Sequence, residues 1–161
     1  MSKNLNSFIL PDNVIETMKK KLIKTKKIRV ELGFNLCQVE GSNELRDDNH
    51  CIGSNCNIFM EETCKTGKKV GAFHTHPKNG AGISDPSIAD LLQAYHYGVS
   101  CTGGETDKKI RCYVRKDKEF NKKDYDTIAF YREKYRRLNK AYYSNTRDRI
   151  KESYFDTIDI I

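Results

Sequence analysis

The feature of this sequence that most restricts its fold is a strand-like segment ending in two histidines separated by one residue. Apolar residues alternate through Val70–Phe73, and His74 and His76 follow directly. Side chains two positions apart on a strand point to the same face, so both imidazoles can reach one metal ion. Pro77 lacks a backbone N–H and ends the strand. The segment 70–76 is therefore predicted to be a strand carrying a pair of metal ligands.

A loop and a helix are predicted after this strand. Residues 78–86 contain glycines and form the loop, and the helix is predicted over 87–97 with Gly98 ending it. Its apolar side chains recur at helical spacing: Ile88, Leu91, Leu92 and Tyr95. Asp90 lies in the first turn and can turn back toward the imidazoles. Two histidine nitrogens and one carboxylate oxygen suit zinc and leave a fourth position for water.

The sequence His-Thr-His-Pro, a loop, and then Ser-x-x-Asp resembles the signature of the JAMM (MPN+) zinc metallopeptidase family. The resemblance implies zinc held by His74, His76 and Asp90, with Ser87 near the water or the oxyanion. The family also has a glutamate on an earlier strand, and the matching position is Glu31. At the level of element order the likeness covers roughly residues 6–115.

Two positions in this pattern have rivals. The loop before the Ser-x-x-Asp is longer than the commonest family spacing, and a shorter register would put Ser84 in the serine position and leave Asp85 as a rival third ligand. Ser87 and Asp90 also match a helix capping box, a role compatible with metal binding. For the general base, Glu40 is an upstream alternative to Glu31.

Composition limits the class of protein. The chain has 161 residues, 37% of them hydrophobic and 32% charged, which predicts one soluble domain with an appendage. No apolar run approaches the ~20 residues of a membrane span, and the polar N-terminus does not resemble a signal peptide. A cytoplasmic protein with no membrane partner is expected.

The net charge of +7 includes seven basic residues between Lys19 and Arg29, a stretch without an acidic residue. A basic surface of this kind can bind acidic partners or nucleic acid. A solvated helix face is the favoured interpretation, because the cluster has no interleaved aromatic rings to stack on bases. Nucleic acid is therefore a possible but not a favoured partner, and the sequence leaves the oligomeric state open.

Six cysteines occur, with no Cys-x-x-Cys pair, which disfavours a zinc ribbon. Cys101 and Cys112 flank a predicted hairpin and can face each other. Cys51, Cys56 and Cys64 can pair or bind a structural metal with His50. Reduced buried cysteines are expected in a mesophile cytosol, and disulfides are expected in a hyperthermophile.

The order of elements predicts an α/β fold, a mixed β-sheet flanked by helices. The resemblance implies a JAMM/MPN-like (cytidine deaminase-like) sandwich over residues 1–118. We predict a frayed start over 1–7, a strand over 8–10, a helix ending near Thr25, and a strand over 28–39 that carries Glu31. A polar loop is expected over 41–49 and a hairpin over 99–115. Beyond it, residues 119–161 are predicted to form a C-terminal helical extension.

Two apolar patterns support that extension. One is a heptad-like stripe, and the other continues at four-residue steps to the end of the chain. The stripe consists of Ile128, Tyr131, Tyr135, Leu138 and Tyr142, and the second pattern of Ile150, Tyr154 and Ile158.

The resemblance implies zinc-dependent hydrolysis of isopeptide or peptide bonds, with Glu31 as the general base and Ser87 at the oxyanion. Family members mostly act on conjugates of ubiquitin-like modifiers, so a protein or peptide substrate of that class is implied. The alternative is a weakly active or inactive scaffold of the same fold that binds protein or nucleic acid. Whether Glu31 faces the metal site discriminates between the two.

Overall fold

A computed structural model describes residues 1–53, 56, 63–79, 82–130 and 140–161, without the side chains of residues 129–130 and 140–143. The strands are β1 (Lys3–Leu5), β2 (Phe8–Leu10), β3 (Leu32–Gln38), β4 (Leu45–Ile52), β5 (Lys68–His76), β6 (Val99–Gly104), β7 (Ile110–Arg115) and β8 (Phe155–Asp159). The helices are α1 (Asp12–Ile28), α2 (Ile88–Tyr97), α3 (Lys122–Phe130) and α4 (Lys140–Tyr154).

Six of the strands form one mixed sheet in the order β4-β3-β5-β6-β7-β8, and β1 pairs with β2 in a separate hairpin. Only β5 and β6 run parallel, and every other neighbouring pair is antiparallel. A parallel pair needs a crossover, which α2 supplies. The predicted mixed sheet flanked by helices is therefore confirmed.

Apolar side chains form a core on each face of this sheet. On one face α1 and the β1–β2 hairpin pack on the sheet, and Val14, Met18 and Phe73 belong to that core. On the other face α2, α3 and α4 bring Leu91, Ile128 and Ile150 together. Alternation along β5 directs His74 and His76 to the face opposite Phe73, where α2 begins.

The predicted motif strand and motif helix are confirmed, as is the hairpin that follows. The start of the chain differs from the prediction. Residues 3–5 are not frayed but form β1, because Asn6 adopts a left-handed conformation (φ 64°) that closes a tight turn onto β2. Leu5 is then fully buried.

Glu31 lies just before β3 and not within the strand. The first helix continues past Thr25 to Ile28, and Arg29 (φ 56°) ends it in the left-handed region. Leu32 is the first residue of β3. The loop predicted over 41–49 is also wrong in part, because β4 begins at Leu45. The polar residues of β4 are tolerated because β4 is an edge strand with one solvated face.

The predicted helical extension is wrong for residues 155–159, which form β8 against β7. Tertiary pairing overrides the helical spacing here, because β7 would otherwise keep an open edge. Phe155 is buried in one core, and Ile158 packs against the other. Tyr131, Tyr135, Leu138 and the side chain of Tyr142 lie outside the described residues, and the domain boundary at residue 118 stays a prediction.

All six cysteines are paired, in contrast to the reduced side chains expected for a cytosolic chain. The Cα atoms of Cys101 and Cys112 are 4.0 Å apart across β6 and β7, as their predicted facing positions require. Cys51 pairs with Cys56. Cys64 pairs with Cys37 of β3, a partner that the sequence did not indicate.

Within the part of the chain that the structure describes, none of the helices is long and apolar enough to cross a membrane.

Candidate metal centre

Sheet topology brings three separate segments together at one end of β5. Because β3 runs antiparallel to β5, Gly33 pairs with His74, and Glu31 therefore lies beside the end of β5. Because β6 runs parallel to β5, the chain must cross back over the sheet, and α2 begins near the same end. His74, His76, Asp90 and Glu31 meet there.

The distances between the candidate ligand atoms fit a small tetrahedral metal site. His74 Nε2 lies 3.1 Å from His76 Nε2 and 3.0 Å from Asp90 Oδ1, and His76 Nε2 lies 3.5 Å from Asp90 Oδ2. A zinc ion with ligand bonds of about 2.0–2.1 Å has tetrahedron edges of about 3.3 Å. The three residues also form one of the two groups that can hold a metal among the described residues.

Hydrogen bonding fixes the orientation of His76. Its Nδ1 lies 2.7 Å from the carbonyl oxygen of Ile83, to which Nδ1–H donates. That bond leaves the lone pair on Nε2, the atom that faces Asp90 and His74. At metal sites, a histidine ligand commonly donates its other ring N–H to a backbone carbonyl, which orients the ring.

The loop that presents Ile83 is anchored through the neighbouring Ser84. Asp107 Oδ2 accepts hydrogen bonds from the N–H (2.9 Å) and the hydroxyl (2.6 Å) of Ser84. The Ser84 carbonyl accepts the hydroxyls of Thr102 and Tyr113. Gly104 leaves space for this contact, because a Cβ there would overlap Asp107 Oδ1 and the Ser84 nitrogen. Ser84, the alternative serine of the shorter register, is thus used to hold the loop.

Asp90 takes part both in the predicted capping box and in the predicted group of metal ligands. Ser87 Oγ accepts the Asp90 N–H (3.1 Å), and Asp90 Oδ2 accepts the Ser87 N–H (2.8 Å), which forms a capping box. Oδ1 of the same carboxylate lies against His74. The rival ligand Asp85 instead lies 3.6 Å from Arg111 and 3.8 Å from Arg147.

Glu31 lies beside the ligands and outside their group. Its Oε1 is 3.5 Å from His74 Nε2, and 13% of its side chain is exposed. The competitor Glu40 follows the other end of β3, where Gln38 pairs with Lys68, and is solvent-exposed. The register of the sheet therefore separates Glu40 from the histidines.

Two backbone contacts hold the segment that carries Glu31. The Leu32 N–H donates to Thr75 Oγ1 (3.0 Å), whose hydroxyl also lies 2.5 Å from that of Thr25 in α1. On the other side, the Gly53 N–H donates to the Glu31 carbonyl (2.7 Å). Thr75 is the residue between the two histidines, and sequence reasoning gave it no role. The available signal was its position between the two histidines of a strand, which directs its side chain to the face opposite theirs.

Burial and charge shift the pKa values of this cluster strongly. Burial alone would lower the pKa of His74, but the Asp90 and Glu31 carboxylates outweigh it and raise the pKa to about 9. Burial likewise opposes ionisation of Asp90, but His74 and His76 hold its pKa well below the usual range. The carboxylates thus supply the negative charge that a bound cation needs.

The second group with metal-ligand chemistry consists of Cys37, Asp48 and Cys64. Its two sulfur atoms are joined in a disulfide, and Asp48 Oδ2 accepts the N–H of Lys65 (2.5 Å). The suggested structural metal site with His50 is not formed either, because His50 Nε2 lies 2.7 Å from Asp47 Oδ2. Among the described residues, the His–His–Asp group is the one that keeps a complete set of ligand atoms.

Comparisons of this chain with protein-family models, with curated proteins and with solved structures found no match.

Proposed function

We propose that this chain is a zinc-dependent metallopeptidase of the JAMM (MPN+) type, which hydrolyses isopeptide or peptide bonds. The observation that carries the proposal is the convergence of four side chains from three segments. His74, His76 and Asp90 offer ligand atoms 3.0–3.5 Å apart, and a fourth group, Glu31, lies next to them. A histidine pair or a capping box occurs in many proteins without a metal, whereas all four groups together are expected at a hydrolytic site.

The ligand set fits zinc in its chemistry as well as its spacing. Imidazole nitrogen and carboxylate oxygen are both zinc ligands, and three protein ligands are typical of a catalytic site that keeps one position open. When bound, zinc acts as a Lewis acid and lowers the pKa of water to about 7. Between 8% and 13% of each of the four side chains is exposed, so the group is largely shielded from water.

Glu31 is proposed as the general base. Its carboxylate would accept the proton of the attacking water and later deliver it to the leaving amine. Two hydrogen bonds hold its backbone segment, through Leu32 N and the Glu31 carbonyl, so its position relative to His74 is defined.

Ser87 is proposed to stabilise the developing oxyanion. Its oxygen already accepts the Asp90 N–H, so its hydroxyl hydrogen remains as the donor for the substrate. Preorganised donors of this kind are a large component of hydrolytic catalysis. The substrate class, a conjugate of a ubiquitin-like modifier, is proposed from the sequence resemblance alone, as is the JAMM-like arrangement of the fold.

The test is metal removal and restoration with a cysteine control. Purified protein should contain about one zinc ion per chain, should lose cleavage of a fluorogenic isopeptide substrate with phenanthroline, and should regain it with added zinc. Iodoacetamide should leave cleavage intact, because all six cysteines are paired. Cleavage that survives complete zinc removal would contradict the proposal. Stable zinc binding without cleavage of any substrate would favour the inactive scaffold.

A further inference from the structure

A basic cleft adjoins the candidate metal centre. It has a volume of about 450 Å³ and is lined by Lys26, Arg29, Lys78, Asn79 and Glu105. Two of its cations come from the end of α1 and the residue after it, and the third comes from the loop after β5. We call it the basic cleft.

Hydrogen bonds tie the walls of the basic cleft to the strand that carries the histidines. The Glu105 N–H donates to the His76 carbonyl (3.1 Å), and the Lys78 N–H donates to Glu105 Oε2 (2.6 Å). Asn79 Nδ2 donates to the Arg29 carbonyl (3.4 Å), which joins the two sides. The basic cleft is therefore held at a fixed place relative to the ligands.

The basic cleft also lies within reach of the reacting groups. Arg29 is two positions before Glu31, and Lys78 is two positions after His76. With consecutive Cα atoms 3.8 Å apart, each pair of Cα atoms is separated by less than about 8 Å. The residues that flank a scissile bond at His74, His76 and Asp90 are therefore close enough to contact the basic cleft.

The charge of the basic cleft is positive, three cations against one carboxylate. The carboxylate of Glu105 is already bonded to the Lys78 amide. Among the described residues, no carboxylate forms a salt bridge with any of the three cations, all of which are exposed. The helix dipole accounts for a cation at the end of α1, such as Lys26, but not for Lys78 from another segment.

We propose that the basic cleft binds an acidic side chain of the polypeptide substrate, in the residues that flank the scissile bond. This inference rests on the proposed hydrolase function and adds a preference for acidic sequence to it. A polypeptide is favoured over nucleic acid by the lining itself. Among the described residues that line it, none has an aromatic ring on which a base could stack.

The experiment uses matched fluorogenic isopeptides in which one flanking position at a time carries Glu or the isosteric Gln. The zinc-loaded protein should cleave the best Glu peptide with a kcat/KM about three- to tenfold above its Gln counterpart, since each exposed ion pair contributes modestly. The variant R29Q/K78Q should lose that preference and keep its rate on the Gln peptide. Each single variant should lose part of the preference.

The control is K20Q, which removes one exposed cation from the same helix, outside the basic cleft. It should keep the full preference for Glu. An equal loss in K20Q would show that overall charge, and not the basic cleft, produces the effect. A loss of rate in R29Q/K78Q that is equal for Glu and Gln peptides would overturn the inference.

A binding measurement separates this inference from the proposed function. Fluorescence anisotropy of the same peptides on the zinc-loaded E31Q protein should give a lower Kd for the Glu peptide. Binding with this preference but no cleavage by wild type would refute the hydrolase and keep the basic cleft. Cleavage of the Glu and Gln peptides at equal rates would keep the hydrolase and refute the basic cleft. Single-stranded DNA is added as a competitor of the bound Glu peptide. If the DNA binds more tightly than the Glu peptide, and this binding is abolished in R29Q/K78Q, the cleft is assigned to nucleic acid and the inference is overturned.

Discussion

Two helices of this protein begin with the same local pattern and use it differently. In α2, Ser87 caps the helix and the buried Asp90 lies three residues on; in α3, the Asn121 side chain accepts the Asp124 N–H (2.8 Å) in the same way. Asp90 faces two imidazoles. Asp124 instead accepts hydrogen bonds from Arg149 (2.7 Å) and the Tyr154 hydroxyl (2.5 Å).

The comparison shows what a cap followed by an aspartate can and cannot indicate. The pattern reliably marks the start of a helix and buries a carboxylate, because the cap fixes the first turn. What the carboxylate does depends on its partners from other segments. A guanidinium and a phenol give a structural ion pair, whereas two imidazoles and a nearby glutamate give a candidate metal centre.

The largest expected difference between the two aspartates is in zinc content. Asp90→Ala should lower zinc affinity by more than about a hundredfold, beyond the effect typical of changes to residues that only hydrogen-bond to the ligands. Asp124→Ala and Asp85→Ala should keep about one zinc per chain, measured by atomic absorption after gel filtration. Equal zinc loss in Asp85→Ala would mean that the wrong aspartate has been assigned as ligand.

The next comparison concerns the glutamate beside Asp90. Glu31→Gln should keep zinc and fold but lower the cleavage rate by about 10²–10⁴, because an amide cannot accept the water proton. Glu40→Gln is the matched control and should cleave at the wild-type rate. If Glu31→Gln cleaves as fast as wild type, the general base lies elsewhere.

Around Asp124, the expected effects are on stability. Phe155→Ala should lower the free energy of unfolding by about 3–5 kcal/mol, because it leaves a cavity in the core under α3 and α4. Thr157→Ala, at an exposed position of the same strand, should cost less than about 1 kcal/mol. Urea denaturation measures both. If Phe155→Ala also lowers zinc affinity at urea concentrations below its unfolding transition, the two regions are coupled.

A smaller effect is expected from the loop that orients His76. Asp107→Ala removes the acceptor of two Ser84 hydrogen bonds and should weaken zinc binding by about 10–100-fold, measured by competition with a chelating dye. Asp117→Ala, at an exposed position, is the control. Unchanged zinc affinity in Asp107→Ala would show that the His76–Ile83 bond does not depend on this anchor.

The smallest expected effect is the pH dependence of the Asp124 ion pair. Arg149 first, and then Tyr154, lowers the pKa of Asp124 in spite of its burial. Its stabilisation is therefore present above the unfolded-state pKa of about 3.9 and is lost as pH falls through the lower folded-state pKa. Asp124→Asn should cost about 1–3 kcal/mol at pH 7 and progressively less in acid. A difference that grows in acid would contradict the assignment.

The local sequence pattern was sufficient to predict those features that depend on a single segment of the chain. The strand before His74, the helix after Ser87 and the shared face of His74 and His76 all depend on residues close in sequence. The meeting of Glu31 with the histidines was reached through resemblance. Its physical cause, the antiparallel pairing of β3 with β5, is a long-range contact that no local spacing contains.

The errors have the same origin. Residues 155–159 continue a helical spacing, and their strand conformation comes from pairing with β7. The Cys37–Cys64 disulfide joins positions brought together by the sheet. Ser84 and Thr75 received no firm role because their partners, Asp107 and Leu32, are set by folding. In each of these cases a tertiary contact, rather than spacing, decides what the residue does.

The position of β8 has a consequence for synthesis of the protein on the ribosome. Its partner β7 leaves the exit tunnel some forty residues earlier, so the nascent sheet keeps one edge with unpaired N–H and C=O groups until residues 155–159 emerge. At about 5–20 residues per second this interval lasts about 2–8 seconds. During that time the growing chain is most exposed to edge-to-edge association with its neighbours on a polysome.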